Sequence, residues 1–364
     1  RHPRGRPCTG GRGRPEEVFQ VTEDIVILHR ADARRCAELL DPVAVVESVL
    51  RRHADGQVLL PAEGYMAWNN SQGAYSRSIA MLGALTGSDP VYGLKLINAA
   101  VSNPAEGMER AGGISVVFDP ETARPRFIAE AGYLSGLRTA AYTIASLRTL
   151  GPERIDEVAL IGCGALARAH LELITRYLPD TTGIHLFDLD AARSAELRSW
   201  TLQRWPHLTV SVAPTACACA RAAGVVVFLT VSDEPYAGLD WFRPGAFVAH
   251  VSLDDLRPDV FAGAEAVFVD DVGLIRDNPR RILGRLIQEG VVLPPDGTAA
   301  DGGRALNGTL GEVLLGRRAP VRPTGGVVVS NPFGMSVLDV AMVAEVRRVA
   351  TETGLGQRVD LLGE

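Results

Sequence analysis

The chain has 364 residues and a formal net charge of −6, with 46% hydrophobic and 22% charged residues. This composition is that of a globular protein with ample material for a core, and the length favours two domains. The negative charge gives no reason to expect nucleic acid as a partner, and no apolar run approaches the roughly 20 residues that span a bilayer, so we expect no membrane association.

The N-terminal segment predicts little regular structure. Arg1 to Glu17 is rich in Arg, Gly and Pro and lacks the apolar core of a signal peptide. We therefore predict a disordered leader, placed at residues 1–24.

Helix and strand signals are mixed in the next part of the chain. Asp41–His53 predicts a helix, with Asp41 as its N-cap and Pro42 in its first turn. Further signals are a β-rich region over Gln57–Ile97, a strand and turn over Gly113–Pro125, and a helix over Ser135–Leu150.

From residue 157 short apolar runs alternate with helical patterns, which is typical of a parallel, doubly wound sheet. The predicted strands are 158–161, 184–187, 208–212, 225–229, 247–251 and 266–269, and the intervening helices are 165–177, 191–205 and 215–223.

The last part of the chain predicts two more helices, over 309–315 and 338–351, after a Gly/Pro-rich break at 294–303. We expect the final helix to pack on the N-terminal half. The predicted fold class is therefore α/β, with a Rossmann domain over 151–319 and a discontinuous β-rich α+β domain over 25–150 and 320–364.

The five cysteines follow no regular spacing, and their odd number argues against a disulfide framework. We expect free thiols in a reducing, cytoplasmic compartment. Cys217 and Cys219 have no second Cys or His pair at metal-binding spacing, so no metal site is predicted.

A nucleotide-binding turn follows the first strand of the alternating region. Gly162 allows a tight turn, and Gly164 lets the backbone approach a pyrophosphate at the start of the next helix, at Ala165 and Leu166. Ala167 is small enough for close packing of helix on strand. This context makes the G-x-G-x-x-A pattern a strong signal for a dinucleotide.

Acidic and polar residues after the next strands predict the rest of the cofactor site. Asp188 ends the second strand and can accept hydrogen bonds from ribose hydroxyls, which favours NAD over NADP. Asp190 is a second candidate, and Asp188 could instead cap the next helix. Thr230, Val231 and Ser232 follow the fourth strand and are expected to face the nicotinamide, unless they form a plain solvated turn.

Fixed cations lie among apolar and small residues upstream of this turn. Lys95, Arg110 and Arg138 predict an anionic partner, because an unpaired buried charge is unfavourable. A carboxylate pocket beside a dinucleotide site indicates amino-acid redox chemistry. The alternative is that these side chains reach solvent or pair with nearby acids such as Glu106 and Glu109.

Two carboxylates, Asp254 and Asp255, follow the fifth strand at the same predicted edge of the sheet. A carboxylate there can serve as a general acid or base, and adjacent residues rarely point the same way, so one of the two is expected to act. His250 is predicted to be a packed core histidine.

These residues carry a resemblance to the ornithine cyclodeaminase/μ-crystallin family over nearly the whole chain after the leader. The supporting motifs are Gly93-Leu-Lys95, Asp119-Pro-Glu-Thr122, Leu137-Arg-Thr-Ala-Ala141, Ile161-Gly-Cys-Gly164, and Gly334 with Asp339. The chain looks most like the branch that forms L-2,3-diaminopropionate for siderophores and peptide antibiotics. Asn103-Pro104, Met108-Glu-Arg-Ala111 and Ser330-Asn-Pro-Phe-Gly-Met335 carry that finer likeness.

The resemblance implies NAD-dependent oxidative cleavage of N-(1-amino-1-carboxy-2-ethyl)-L-glutamate. It implies that Lys95 and Arg138 hold a substrate carboxylate, that Arg77 and Arg110 add further contacts, and that Asp255 rather than Asp254 is catalytic. Gly334 is implied at the cofactor site, and the β-rich domain is implied to bind substrate and to form a homodimer. The alternatives are an ornithine cyclodeaminase, a ketimine or 2-oxo acid reductase, and a non-catalytic nucleotide-binding protein like the crystallin members.

Overall fold

The computed structural model describes residues 24–252, 254–297 and 303–363. Apart from Asp24, the predicted leader lies outside these ranges. Four described cysteines, Cys36, Cys163, Cys217 and Cys219, are free thiols, and Cys8 lies outside the described residues.

The described residues form strands and helices in the following order. The strands are β1 (Asp24–Leu28), β2 (Val58–Leu59), β3 (Gly64–Asn69), β4 (Tyr75–Leu85), β5 (Val91–Ala100), β6 (Ala111–Phe118), β7 (Pro125–Glu130), β8 (Glu157–Ile161), β9 (Gly183–Phe187), β10 (Thr209–Val212), β11 (Val225–Phe228), β12 (Phe247–His250), β13 (Ala266–Val269), β14 (Val292–Leu293), β15 (Arg304–Ala305), β16 (Gly308–Thr309), β17 (Val328–Ser330) and β18 (Gln357–Asp360). The helices are α1 (Arg30–Glu38), α2 (Pro42–Ala54), α3 (Ala131–Leu150), α4 (Ala165–Tyr177), α5 (Ala191–Arg204), α6 (Ala216–Ala222), α7 (Pro258–Gly263), α8 (Val272–Arg276), α9 (Ile282–Gln288), α10 (Leu310–Leu314) and α11 (Ser336–Thr353), with 3₁₀ turns at Asn103–Glu106 and Leu239–Trp241.

The first sheet is mixed and has the order β18-β1-β7-β6-β5-β4-β2, with β3 also pairing with β4. Only the β1–β7 pair among these is parallel. The register places Lys95 opposite Met81 and Ser115. Side chains alternate between the two faces of a strand, so Lys95, Met81 and Ser115 lie on one face of the sheet. Leu82, Leu96 and Ile114 lie on the opposite face.

The second sheet is parallel and has the order β10-β9-β8-β11-β12-β17-β13-β16. The chain runs outward from β8 in both directions, which confirms the predicted doubly wound sheet. β8, β11, β12 and β13 are almost entirely buried, as expected for strands covered on both faces.

One predicted boundary is corrected by the sheet topology. Val328–Ser330 (β17) lies between β12 and β13 in the parallel sheet, whereas the sequence prediction places residues 320–364 in the other domain. The three residues are fully buried, so both faces of this short apolar strand are covered there. Its length leaves too little pattern to separate it from a loop.

Two helices connect the sheets. α3 is buried along most of its length, and it starts at Ala131 rather than at residue 135 because Glu130 caps it by accepting from the backbone N–H groups of Gly132 and Tyr133. α11 packs on β4, β5 and β6, which confirms the expected return of the last helix to the N-terminal half. The Ser336 hydroxyl donates to the Leu82 carbonyl at that contact, at 2.6 Å.

Among the helices in the described part of the chain, none is both long and apolar enough to cross a membrane.

Candidate active site

The site residues gather at one edge of the parallel sheet, where several strands end. Gly162 follows β8, Thr230 follows β11, and Asp255 follows β12, and the strands β8, β11 and β12 are neighbours. The segment 331–335 follows β17 beside them. Ligands of open parallel sheets bind at this carboxyl edge, so the topology brings the predicted cofactor residues together.

The turn after β8 has the backbone of a phosphate-binding turn. Gly162 has a φ of +103°, and a Cβ there would lie 2.8 Å from the carbonyl carbon of Leu229. A Cβ on Gly164 would meet nothing within 4 Å, so the space in front of this residue is open. No side chain caps α4, which leaves its first backbone N–H groups without a side-chain acceptor. The N-terminus of α4, at Ala165 and Leu166, can therefore bind an anionic ligand.

Asp188 lies at the end of β9 and fixes the turn. One of its carboxylate oxygens accepts from the backbone N–H of Cys163 at 2.8 Å, and the other accepts from that of Asp190 at 2.9 Å. Asp190 is the residue that caps α5, by accepting from the N–H of Ala192. The alternative that Asp188 caps this helix is therefore excluded, and its carboxylate stays at the sheet edge.

The segment after β11 faces the glycine turn. The backbone N of Thr230 lies 3.1 Å from the position of a Cβ on Gly162, so Thr230 and the turn are in contact. The Thr230 hydroxyl also accepts from the backbone N–H of Ser232, and Val231 is exposed. Thr230 is thus held inward while Val231 faces outward.

The predicted cations Lys95 and Arg138 meet at one buried carboxylate. Lys95 Nζ lies 2.7 Å from Asp339 Oδ2, and Arg138 Nε lies 3.0 Å from Asp339 Oδ1. Lys95 is 3% exposed and Arg138 is 8% exposed. The proposed alternative, pairing with Glu106 or Glu109, is wrong for both, and Glu109 instead pairs with Arg30.

Burial and charge both shift the pKa values of Lys95 and Asp339 in this cluster. Burial lowers the pKa of Lys95, against the effect of Asp339. Burial opposes ionisation of Asp339, but the charges of Arg138 and Lys95 hold its pKa below the usual value. Two cations share one carboxylate, so the cluster retains positive charge that suits a second, ligand carboxylate.

Gly334 links this cluster to the parallel sheet. It has a φ of +94°, and a Cβ there would lie 3.0 Å from Arg138 Nη1. Its backbone N–H donates to Asp270 Oδ2 at 2.7 Å, and the N–H of Phe333 donates to Asp270 Oδ1 at 2.6 Å. The loop after β17 is therefore fixed against Arg138, and only glycine fits there without strain.

Asp255 is fully buried and already has its hydrogen-bonding partners. Its oxygens accept from the hydroxyls of Thr230, Tyr236 and Ser252. His250 Nε2 lies 3.4 Å from Oδ2. Burial opposes its ionisation, but the hydrogen bond and charge of His250, followed by the hydrogen bonds from Ser252 and Thr230, hold the pKa of Asp255 below the usual value. Direct contact between Asp255 and a water molecule in the site would need one of these partners to move.

Asp254 points elsewhere, as expected for adjacent residues. Its carboxylate pairs with Arg285 of α9, with an Oδ1 to Nη2 distance of 3.0 Å. His250 is completely buried and lies 3.2 Å from Asn331 Oδ1, which confirms it as a core histidine.

The other two predicted substrate residues lie at the end of the first sheet. Arg77 is on β4, and Arg110 directly precedes β6. Arg77 lines a cavity of about 340 Å³ together with Trp68, Asn98 and Asn103. Lys95 and Arg138 do not line this cavity, so we place the proposed chemistry at the buried cluster and not in this cavity.

Sequence patterns assign no role to several residues that complete the site. Asp339 is the common partner of Lys95 and Arg138, and Tyr236 and Ser252 hold Asp255. A charge inside the apolar run Val337–Val343 was the available signal for Asp339, because an acidic residue on a buried helix face needs a cationic partner.

The fold and the site define a class: an α/β protein with a Rossmann-type nucleotide turn beside a buried cationic cluster. The chain belongs to the ornithine cyclodeaminase/mu-crystallin family, whose sequence model matches residues 23–354. This finding confirms the family resemblance.

Three known proteins are similar to this chain. N-((2S)-2-amino-2-carboxyethyl)-L-glutamate dehydrogenase of Staphylococcus aureus (strain NCTC 8325 / PS 47) is 25% identical over 345 residues, covering 94% of this chain and 100% of the relative. The sequence of CmnK is 55% identical to this chain, and the crystal structure of CmnK matches with a TM-score of 0.88. The match covers 94% of this chain and 100% of CmnK. An archaeal alanine dehydrogenase dimer with bound NAD has a TM-score of 0.78 at 22% identity, covering 93% and 99% of the two chains, and confirms the fold.

Proposed function

We propose that the protein is an NAD-dependent amino-acid dehydrogenase that oxidatively cleaves N-(1-amino-1-carboxy-2-ethyl)-L-glutamate. The products are L-2,3-diaminopropionate, 2-oxoglutarate and NADH, and the diaminopropionate would serve siderophore or peptide-antibiotic synthesis. The observation that carries the proposal is the buried pair of cations, Lys95 and Arg138, sharing Asp339 next to Gly334. The dehydrogenase of S. aureus, which is similar over 94% of this chain, supports this substrate.

The residues at the carboxyl edge fit NAD. The uncapped start of α4 and the open space at Gly164 suit the pyrophosphate. The carboxylate of Asp188 suits unmodified ribose hydroxyls and repels a 2′-phosphate. When bound, NAD supplies the hydride acceptor for the reaction.

Lys95 and Arg138 are proposed to bind and orient a substrate carboxylate. Their combined charge exceeds that of Asp339, and their side chains are held by Asp339 before any ligand binds. Holding the α-carbon at a fixed position in this way is a large source of rate acceleration. Because burial lowers the pKa of Lys95, its ammonium group can also release a proton more readily than an exposed lysine.

The overall reaction consumes one water molecule and releases one proton. The C–H bond at the α-carbon of the glutamate moiety breaks, hydrogen leaves as hydride, and a protonated C=N bond forms. Water adds to that carbon and loses one proton. The remaining O–H proton then moves to nitrogen as the C–N bond breaks, which leaves the C=O of 2-oxoglutarate and the free amine of diaminopropionate. We propose that the hydroxyl of Thr230 or Tyr236 passes the proton of this water to Asp255, since both already donate to its Oδ1.

A homodimer is proposed to form through the first sheet. The face opposite Lys95 exposes Met66, Trp68, Leu82 and Ile114, and every residue of β3 is exposed. Several large exposed apolar side chains on one face of a sheet are typical of an interface between subunits.

The test is NADH formation on mixing the protein with NAD and the synthetic conjugate, with L-ornithine as the control substrate. We expect NADH and 2-oxoglutarate from the conjugate only. Proline and ammonia from ornithine without accumulation of NADH would identify a cyclodeaminase instead. Absence of reaction with both would contradict the proposed substrate.

Asp255→Asn provides the matched variant for this assay. We expect turnover to fall by at least about 100-fold, within the usual range for loss of a proton-transfer group, while the affinity for NADH stays unchanged. Near-normal turnover in Asp255→Asn would remove Asp255 from the mechanism.

A further inference from the structure

A second group of cationic side chains lies at the edge of the site, and it lacks a full set of anions. The guanidinium of Arg110 is half-buried, and within the described ranges no side chain or carbonyl accepts a hydrogen bond from it. Burial and the nearby charge of Arg77 lower the pKa of Arg110. Two neighbouring cations without a counterion are unfavourable, and they become favourable when a ligand supplies the anion.

A third arginine reaches this group from the parallel-sheet half of the chain. Arg280 precedes α9, and its guanidinium lies 4.1 Å from the centre of the Tyr65 ring on β3. It also pairs with Glu63. Arg280 thus crosses from one sheet's half of the chain to the other.

The side chain of Tyr65 lies among these arginines, where a ligand anion would be favourable. Its hydroxyl hydrogen-bonds with that of Tyr75. Burial opposes ionisation of Tyr65, but hydrogen bonds from Tyr75, Arg280 and Arg77 lower its pKa. Two guanidinium groups therefore act on one phenol, an arrangement that suits a negatively charged ligand.

This group adjoins the buried cluster. Arg77 lies four residues before Met81, the cross-strand partner of Lys95, so Arg77 and Lys95 are on the same face of the sheet. Four residues of strand span about 13 Å between backbones, and long side chains shorten that separation. Glu63 also acts electrostatically on Lys95. An extended substrate with an anionic group at each end is therefore of a length that matches the two cationic groups.

We propose that Arg280, together with Arg77 and Arg110, binds the side-chain carboxylate of the glutamate moiety, and that Arg280 selects dicarboxylate over monocarboxylate substrates. This inference rests on the proposed function. A substrate bound in this way contacts both halves of the chain, since Arg77 and Arg110 lie on the first sheet and Arg280 follows α8.

The test compares two substrates in two variants. Arg280→Met removes the charge and keeps an unbranched chain. Arg276→Met is the control, because among the described residues the side chain of Arg276 forms its ion pair with the exposed Asp277. The substrates are the glutamate conjugate and an analogue in which 2-aminobutyrate replaces glutamate. We expect Arg280→Met to raise KM about 10- to 100-fold for the glutamate conjugate, as for loss of a charged hydrogen bond, with little change in kcat. KM for the analogue should be the same in Arg280→Met and the unaltered protein.

A binding measurement separates this inference from the proposed function. Glutarate and butyrate are titrated calorimetrically into the protein with saturating NADH. We expect glutarate to bind more tightly, and this preference to disappear in Arg280→Met but not in Arg276→Met. That result supports the role of Arg280 even if the conjugate is not turned over. An equal rise in KM for the glutamate conjugate and the analogue would overturn the role of Arg280. An unchanged preference for glutarate in Arg280→Met would overturn it as well. Neither result would contradict the proposed reaction.

Discussion

At the scale of single residues, Asp339 decides the chemistry of the site. It lies on α11 and is 3% exposed, yet it contacts Lys95 on β5 and Arg138 on α3. Removing one partner of such a buried group leaves uncompensated charge, which is strongly destabilising. One carboxylate thus preorganises two cations from elements far apart in the chain and still leaves them a net positive charge.

The two glycines of the nucleotide turn are expected to fail differently when replaced by alanine. Gly162→Ala should lower the melting temperature and abolish NADH binding, because its φ is positive and its Cβ would meet the Leu229 carbonyl. Gly164→Ala should melt almost normally, since a Cβ there meets nothing, but should weaken NADH binding at least about tenfold by blocking the approach of a phosphate. Thermal melts and NADH fluorescence titrations measure both effects. Unchanged NADH affinity in Gly164→Ala would show that the phosphates lie elsewhere.

At the scale of elements, α3 joins the two sheets through successive contacts along its length. Arg138 meets Asp339, Thr143 meets His170 of α4, and Ser146 meets Ser330 of β17, with a distance of 3.0 Å between the last two hydroxyls. A helix buried on all sides can hold such contacts only if its polar groups are paired. Its position therefore transmits the geometry of one sheet to the other.

The contact between α3 and α4 predicts a pH dependence of stability. His170 is fully buried, with Nδ1 2.7 Å from the Leu166 carbonyl oxygen and Nε2 3.0 Å from the Thr143 hydroxyl. Burial lowers its pKa from 6.5 to about 4. Because the pKa of His170 is lower in the folded state than in the unfolded state, the contribution of neutral His170 to the unfolding free energy is complete above pH 6.5. This contribution is lost as the pH falls from 6.5 towards 4.

The expected loss from this group is about 2 kcal/mol of unfolding free energy between pH 7 and pH 5. Urea unfolding of the unaltered protein and of His170→Gln at both values measures it. The difference in stability between the two proteins should shrink by about that amount at pH 5. A difference that stays constant with pH would mean that His170 titrates normally in the folded state.

At the scale of the whole molecule, the two sheets have different exposures. The parallel sheet is covered on both faces, whereas α3 and α11 cover one face of the first sheet and several large apolar side chains on its other face are exposed among the described residues. Its other face carries Met66 at 62% and Leu82 at 45% exposure. Burial of this face against a second copy would remove a large apolar area from water.

Leu82→Glu is therefore expected to convert a dimer to monomers, because it places a charge at the centre of the proposed interface. Leu39→Glu is the matched control, since Leu39 is 67% exposed at the end of α1, away from this face. Light scattering after size-exclusion chromatography gives the mass of each. A dimeric Leu82→Glu protein, or a monomeric unaltered protein, would contradict the proposed interface.

Local patterns were sufficient for the strands, helices and turns whose signals lie within a few residues. The G-x-G-x-x-A turn, Asp188 and the alternating strands each depend on neighbouring residues, so they could be predicted from the sequence. β17 could not be assigned, because three residues carry too little periodicity and only their neighbours β12 and β13 make them a strand. The start of α3 at Ala131 depended on a cap that the sequence pattern did not reveal.

By itself the sequence determined the family, the doubly wound sheet and the cationic side chains that need an anionic partner. Only the tertiary structure decided which acid meets them, because Lys95 and Asp339 are 244 positions apart and contact depends on how α11 returns to the first sheet. It also decided that Asp255 is buried among hydroxyl groups and that Arg280 reaches Tyr65. Charge can be read from a residue type, but burial and partners are properties of the packed chain.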